Sequence, residues 1–257
     1  MSSPAIRIVL ITGANSGVGY ATSKVLITTK STPSFHVIMT GRSLEKTEQA
    51  KAEIEQETAS KATGSLSALQ LDVTDAKSVE KAAEYVEKTH GRLDALINNA
   101  ALGSRDSDLV TRLRLCFETN VIGAALVAQA FRPLLLKAHN PYSIWVSSGA
   151  GSLTRSSEAS HDPAQLDKDE AYRASKAALN MVMLCEHRDW HKKGLRSFAL
   201  SPGFVVSNLR GTSEAMRNPG GMAGDPTISG ETILAVLEGK RDGEAGKQIH
   251  KDGVHPW

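Results

Sequence analysis

Short apolar runs alternate along this chain with longer stretches in which apolar residues recur every three or four positions. Residues 6–11 form a brief run rich in β-branched side chains and read as a buried strand. Runs at 35–40, 66–71, 93–97, 143–147 and 195–200 read the same way, and 246–250 is a seventh candidate. Between them, helical spacing is expected at 20–27, Leu44–Thr58, 75–90, 109–136, 172–191 and 228–237. Asp75 and Ser78 stand at the start of the third helix, and Pro133 is expected to kink the long one near its end.

Strands that are apolar throughout, separated by helices, indicate a parallel sheet covered on both faces. Right-handed crossovers then build a doubly wound, Rossmann-like α/β sheet of about seven strands in one domain, residues 1–257. Two segments interrupt the alternation. Residues 149–168 are polar and helix-poor, and residues 204–226 are rich in glycine, proline and methionine. Both follow strand C-termini, where such sheets bind ligands, so they are the expected pocket walls.

Composition narrows the functional classes. The 257 residues are 40% hydrophobic and 23% charged, enough for one core in an ordinary globular chain. The net charge of +2 comes from scattered basic residues, which gives no nucleic-acid surface. No apolar run reaches the length of a membrane span, and the first strand is too short for a signal-peptide core, so an intracellular, cytoplasmic protein is expected. Cys116 and Cys185 fall in helical patterns and are expected to be buried, reduced thiols.

Between the first strand and the first helix lies Thr12-Gly13-Ala14-Asn15-Ser16-Gly17-Val18-Gly19. Glycines let the backbone turn tightly and approach a pyrophosphate, and the following helix start offers N–H groups and partial positive charge. The spacing is G-x-x-x-G-x-G, not the usual G-x-G-x-x-G. An acid at the end of the second strand would hold a ribose diol. Here that strand ends in Gly41-Arg42-Ser43, and a guanidinium suits a 2′-phosphate, so NADP is expected over NAD.

Tyr172 and Lys176 lie four apart at the start of a helix and so share a face. A phenol with a pKa near ~10 exchanges protons poorly at neutral pH, and a neighbouring ammonium is expected to lower that value. Together with the glycine turn, Asp72-Val73, Asn98-Asn99-Ala100, Ser147-Ser148 and Pro202-Gly203, in this order, the chain resembles the short-chain dehydrogenase/reductase family in its compact, carbonyl-reductase-like branch. The resemblance spans nearly the whole chain. It implies that Tyr172 exchanges the proton with a carbonyl or alcohol oxygen and that Ser148 orients that oxygen. Lys176 would tune the tyrosine and hold the nicotinamide ribose, and Asn120 would hold a water behind the lysine. It further implies that Asp72 and the Val73 backbone bind adenine, that Asn99 lines the ribose path, and that Pro202, Gly203, Phe204, Val205 and Ser207 hold the carboxamide. Positioning of this kind can remove ~7–11 kcal/mol of a barrier, with the cofactor supplying the hydride.

Three departures from the resembled pattern stand out. Ala101 replaces a usual glycine, Ser207 replaces a usual threonine, and Ser148 and Tyr172 are 24 positions apart (172 minus 148), about twice the spacing of many relatives. The additional residues, 152–167, are placed to form a lid, narrow the entrance or cover a dimerising face, which leaves the oligomeric state open. The terminal Trp257 is expected to pack rather than bind. Leu102, Leu153, Phe204, Met216 and Met222 suggest an adaptable apolar wall and hence a bulky apolar or aromatic ketone or aldehyde as substrate. His161, a lone loop histidine, reads as solvated. Two other readings compete: a catalytically idle dinucleotide-binding regulator, and an epimerase or dehydratase on the same scaffold.

Overall fold

The first strand, β1 (Arg7–Ile11), shows why the strands are apolar throughout. Val9 and Ile11 point into one core, whereas Ile8 and Leu10 point into another on the opposite face. The computed structural model describes residues 6–158 and 169–257. Along the chain follow α1 (Gly17–Thr28), β2 (Phe35–Gly41), α2 (Leu44–Thr58), β3 (Ser65–Gln70), α3 (Ala76–His90) and β4 (Ala95–Asn98). Then come α4 (Leu109–Phe117), α5 (Ala124–Leu135), β5 (Tyr142–Val146), α6 (Leu153–Glu158) and α7 (Glu170–Trp190). The chain closes with β6 (Arg196–Leu200), α8 (Glu214–Arg217), α9 (Thr227–Leu237), β7 (Gln248–His250) and β8 (Gly253–His255).

The strands form one sheet in the order β3-β2-β1-β4-β5-β6-β7-β8, parallel except for the last pair. This is the doubly wound α/β architecture, with eight strands among the described residues instead of seven. The additional strand, β8, is three residues long and pairs antiparallel with β7, too short to register as an apolar run. Strand order reverses between β1 and β4, so a crevice opens beyond their C-terminal ends. One core packs α1, α2 and α9 against the sheet; the other packs α3, α5 and α7 on the opposite face.

Two local expectations are corrected. The long helix is not continuous: a π-turn at Glu118–Gly123 interrupts it, and Pro133 sits inside α5 two residues before its end. There Gly123 presses so closely on Val73 that a Cβ would lie 2.8 Å from its carbonyl oxygen. Residues 149–158 are also not helix-poor: a 3₁₀ turn at Gly149–Gly151 leads into α6. His161 and most of the 152–167 insertion lie outside the described residues. Cys116 is buried, but Cys185 is only half-buried.

Candidate active site

The two loops at the crevice are stitched by side chains. Thr12 Oγ1 accepts from the backbone N–H groups of Asn99 and Ala100, each at 2.9 Å. The Asn99 amide donates to the carbonyls of Thr12 (2.8 Å) and Gly13 (3.1 Å). Gly13 and Gly17 adopt φ of 63° and 57°, conformations that favour glycine. A Cβ at Gly19 would lie 2.7 Å from the Asn99 amide nitrogen, so the third glycine permits the close approach of the two loops. Ser16 precedes α1 without a side-chain cap, and no acid stands in the first turn. The helix start therefore presents N–H donors and an uncompensated partial positive charge, as a pyrophosphate requires.

Beside this turn runs a groove of about 360 Å³. Most of the residues singled out from the sequence line it: Gly13, Asn15, Ser16, Gly17 and Val18 from the turn, Arg42 after β2, Asp72 and Val73 after β3, and Asn99 after β4. At the other end stand Ser148, Tyr172, Lys176, Pro202, Val205 and Ser207. Arg42 is exposed. Asp72 Oδ1 accepts from the Thr74 backbone and hydroxyl, at 2.9 and 2.8 Å, which fixes the carboxylate at the groove wall. Three expected residues do not line the groove: Gly19 lies behind the turn, Asn120 lies within the π-turn, and Phe204 lines a neighbouring cavity.

The Asn120 side chain is held entirely by protein. Its Oδ1 accepts from Leu102 N–H at 2.7 Å, and its amide donates to the Leu102 carbonyl and to Ser175 Oγ, both at 2.9 Å. Both amide hydrogens are thus spent on protein. The side chain ties the loop after β4 to α7, a positioning task.

The two serines at the end of β5 face opposite ways. Ser147 is buried and donates to Asn180 Oδ1 at 2.6 Å. Ser148 lines the groove, and its Oγ accepts from Ala150 N–H at 3.1 Å. Its backbone is held in turn, since Gln248 donates to the Ser148 carbonyl at 2.7 Å and Gly149 N–H donates to Ser201 Oγ at 2.9 Å.

Lys176 is 1% exposed, and its Nζ donates to the Val146 carbonyl at 2.8 Å. Burial pushes its pKa down to about 7. The expected lowering of the Tyr172 pKa is reversed in this state. Burial pushes the phenol up to about 12, and the pulls that oppose the rise come from the Ser148 hydroxyl and the Arg210 guanidinium. An ammonium that is itself held down by desolvation is a weak source of positive potential.

Arg210 was not singled out from the sequence, because a single arginine in a glycine-rich loop has no local signature. Its guanidinium donates to the carbonyls of Val205 (3.1 Å), Met216 (3.1 Å) and Arg217 (2.9 Å) and lies 4.5 Å from the centre of the Phe204 ring. It therefore shapes the loop after β6, and it lines the groove with Tyr172. Among the expected wall residues, Leu153, Phe204, Met216 and Met222 are all exposed. Trp257 is 38% exposed and less packed than expected; its carbonyl accepts from the Thr154 backbone at 2.8 Å.

Residues 7–218 match the short chain dehydrogenase family. The short-chain dehydrogenase/reductase tropE of Talaromyces stipitatus is 35% identical over 98% of each chain. The short-chain dehydrogenase/reductase eupG of a Phoma species is 32% identical over 97% of each. Among solved structures, an NADPH-bound carbonyl reductase from chicken fatty liver superposes with a TM-score of 0.81 at 28% identity, covering 98% of this chain and 99% of that one. No helix among the described residues is long and apolar enough to cross a membrane.

Proposed function

This chain belongs to the short-chain dehydrogenase/reductase family, and from that premise we propose that it is a ketoreductase, moving a hydride between NADP(H) and a carbonyl or secondary alcohol. Its favoured substrate is a ketone or aldehyde with bulky apolar or aromatic parts. The observation that carries this reading is the convergence of Ser148, Tyr172 and Lys176 at one end of a groove whose other end is the glycine turn.

The groove fits a dinucleotide. The uncapped start of α1 suits the pyrophosphate, Asp72 and Val73 stand where adenine would lie, and Arg42 stands at the end of β2 for a 2′-phosphate. The chicken carbonyl reductase, bound to NADPH, supports the same choice. When bound, the nicotinamide supplies the hydride in reduction and accepts it in oxidation. The protein supplies the rest. Tyr172, whose pKa burial holds at about 12, stays protonated at neutral pH and gives its phenolic proton to the carbonyl oxygen as the hydride reaches the carbonyl carbon. Ser148 holds that oxygen by a hydrogen bond. Lys176, one helical turn from Tyr172, would hold the ribose hydroxyls; the proton given by Tyr172 turns the oxyanion into a neutral alcohol and leaves a phenolate, which solvent reprotonates.

The test is NADPH consumption against a panel of aromatic ketones and aldehydes, with Tyr172→Phe beside the native chain. Loss of the general acid should cut turnover by about 10² or more and leave NADPH affinity nearly unchanged. Retained turnover in the variant would overturn the assignment, and NADPH binding with no turnover on the panel would favour an idle regulator.

A further inference from the structure

A second and larger cavity, about 680 Å³, meets the cofactor groove at Ser148, Pro202, Gly203 and Val205, which line both. Its size is that of a small-molecule site. Its lining carries Arg155, Arg173 and Lys251 and the imidazoles of His250 and His255, against a single acid, Asp225.

Most of these charges are already spoken for. Arg173 pairs with Asp169 at 2.6 Å, and Lys251 pairs with Asp252 at 3.6 Å. Asp225 accepts from Thr227 N–H at 2.8 Å, at the start of α9. Arg155 is different. Its Nη1 lies 3.3 Å from His255 Nε2, and no carboxylate lies within salt-bridge distance of it among the described residues. His255 stacks on His250 with ring centres 4.1 Å apart, and burial holds it far below the usual histidine value, so it accepts from the guanidinium as a neutral ring. With a neutral acceptor, the exposed Arg155 has no carboxylate partner among the described residues and is free to take one from a ligand.

The arginine is also close to the proposed chemistry. A Cβ placed on Gly149 would come 2.2 Å from Arg155 Nη1. The guanidinium therefore rests close against the residue that follows Ser148. Phe204 and Ile228 add apolar surface to the same cavity.

We propose that this cavity is the substrate subsite for a carboxylate: the enzyme acts on an aromatic keto acid or formyl acid whose carboxylate pairs with Arg155 while its carbonyl lies at Ser148 and Tyr172. The inference rests on the ketoreductase reading and sharpens its substrate class. Guanidinium–carboxylate pairing is bidentate and directional, which suits orientation of a small acid.

The experiment compares 4-acetylbenzoate with its methyl ester, which differ by the anionic charge. In the native enzyme kcat/KM for the acid should exceed that for the ester by about tenfold or more, the size of one charge-assisted hydrogen bond. Arg155→Met should bring the ratio close to one, and Arg155→Lys should restore part of it. Ser156→Glu, which sets a carboxylate beside the arginine on an exposed face of the cavity, should lower the ratio without removing Arg155 and serves if Arg155→Met does not fold. A native ratio near one, or a ratio unchanged in these variants, would overturn the subsite. Calorimetric binding of 4-acetylbenzoate in the presence of NADPH is measured in parallel. If neither compound is reduced, the ketoreductase reading fails on its own, and tight binding abolished by Arg155→Met still supports the subsite, whereas no binding removes it.

Discussion

The Lys176 ammonium nitrogen stands 5.6 Å from the centre of the Tyr172 ring, yet its hydrogen bond goes to the Val146 carbonyl. The pair expected from the spacing is thus a neighbouring pair held apart by a backbone acceptor. Both members are buried, and burial moves their pKa values toward the neutral forms, Tyr172 upward and Lys176 downward.

This has a consequence for stability. An unfolded lysine stays charged to about pH 10.4. Folded Lys176 releases its proton near 7. Between those values the unfolded state binds more protons, so stability should rise with pH from about 7 to about 10, and the cost of the buried charge is largest below 7. Thermal melts of Lys176→Met and the native chain, both without cofactor, should show the variant gaining most at pH 6 and least at pH 9.5. A pH-independent difference would contradict it. Tyr172 has the opposite sign, since its folded pKa lies above the unfolded value, and it should withdraw stability only above about pH 10.

Cofactor choice is expected to depend on Arg42. Arg42→Ala should weaken NADPH binding by about tenfold or more, as loss of one charge-assisted phosphate contact does, with NADH affinity little changed. Titration of both cofactors into both proteins checks this. An equal loss for NADH would place Arg42 away from the 2′-phosphate.

Arg210 holds three carbonyls of the loop that carries Val205 and Ser207. Arg210→Met should raise KM for the cofactor several-fold and, by removing a positive charge that acts on Tyr172, move the alkaline limb of the oxidation rate to higher pH. A purely structural role would change KM and leave the pH profile in place.

Away from the site, Glu186 is 4% exposed and accepts from Trp145 Nε1 and Ser197 Oγ, each at 2.8 Å, with Arg132 3.7 Å away. Glu186→Ala strands all three partners and should cost roughly 3 kcal/mol. At this chain length that is a fall in Tm of about 6–12 °C. Glu186→Gln, which keeps an acceptor, should cost less than half as much. Equal losses for the two would assign the effect to packing.

Much of the architecture was legible from residue order. A sheet buried on both faces needs strands apolar on both faces, and the run at Ile8–Ile11 states that locally. The glycine turn was equally readable, because Gly13 and Gly17 need conformations that side chains disfavour. The Tyr172–Lys176 spacing likewise placed both side chains on one helix face. What the sequence could not decide depends on elements distant along the chain. The π-turn carries Asn120, which reaches Leu102 and Ser175. Ser148 faces the groove while Ser147 meets Asn180, from a helix more than thirty positions on. The downward shift of Lys176 follows from burial beneath β5, and the partner of Arg155 is a histidine on the last strand of the sheet, one hundred positions away. Backbone conformation and periodicity are local and written in neighbouring residues. Desolvation and charge compensation are set by whatever the fold brings alongside, and only the tertiary structure supplies those neighbours.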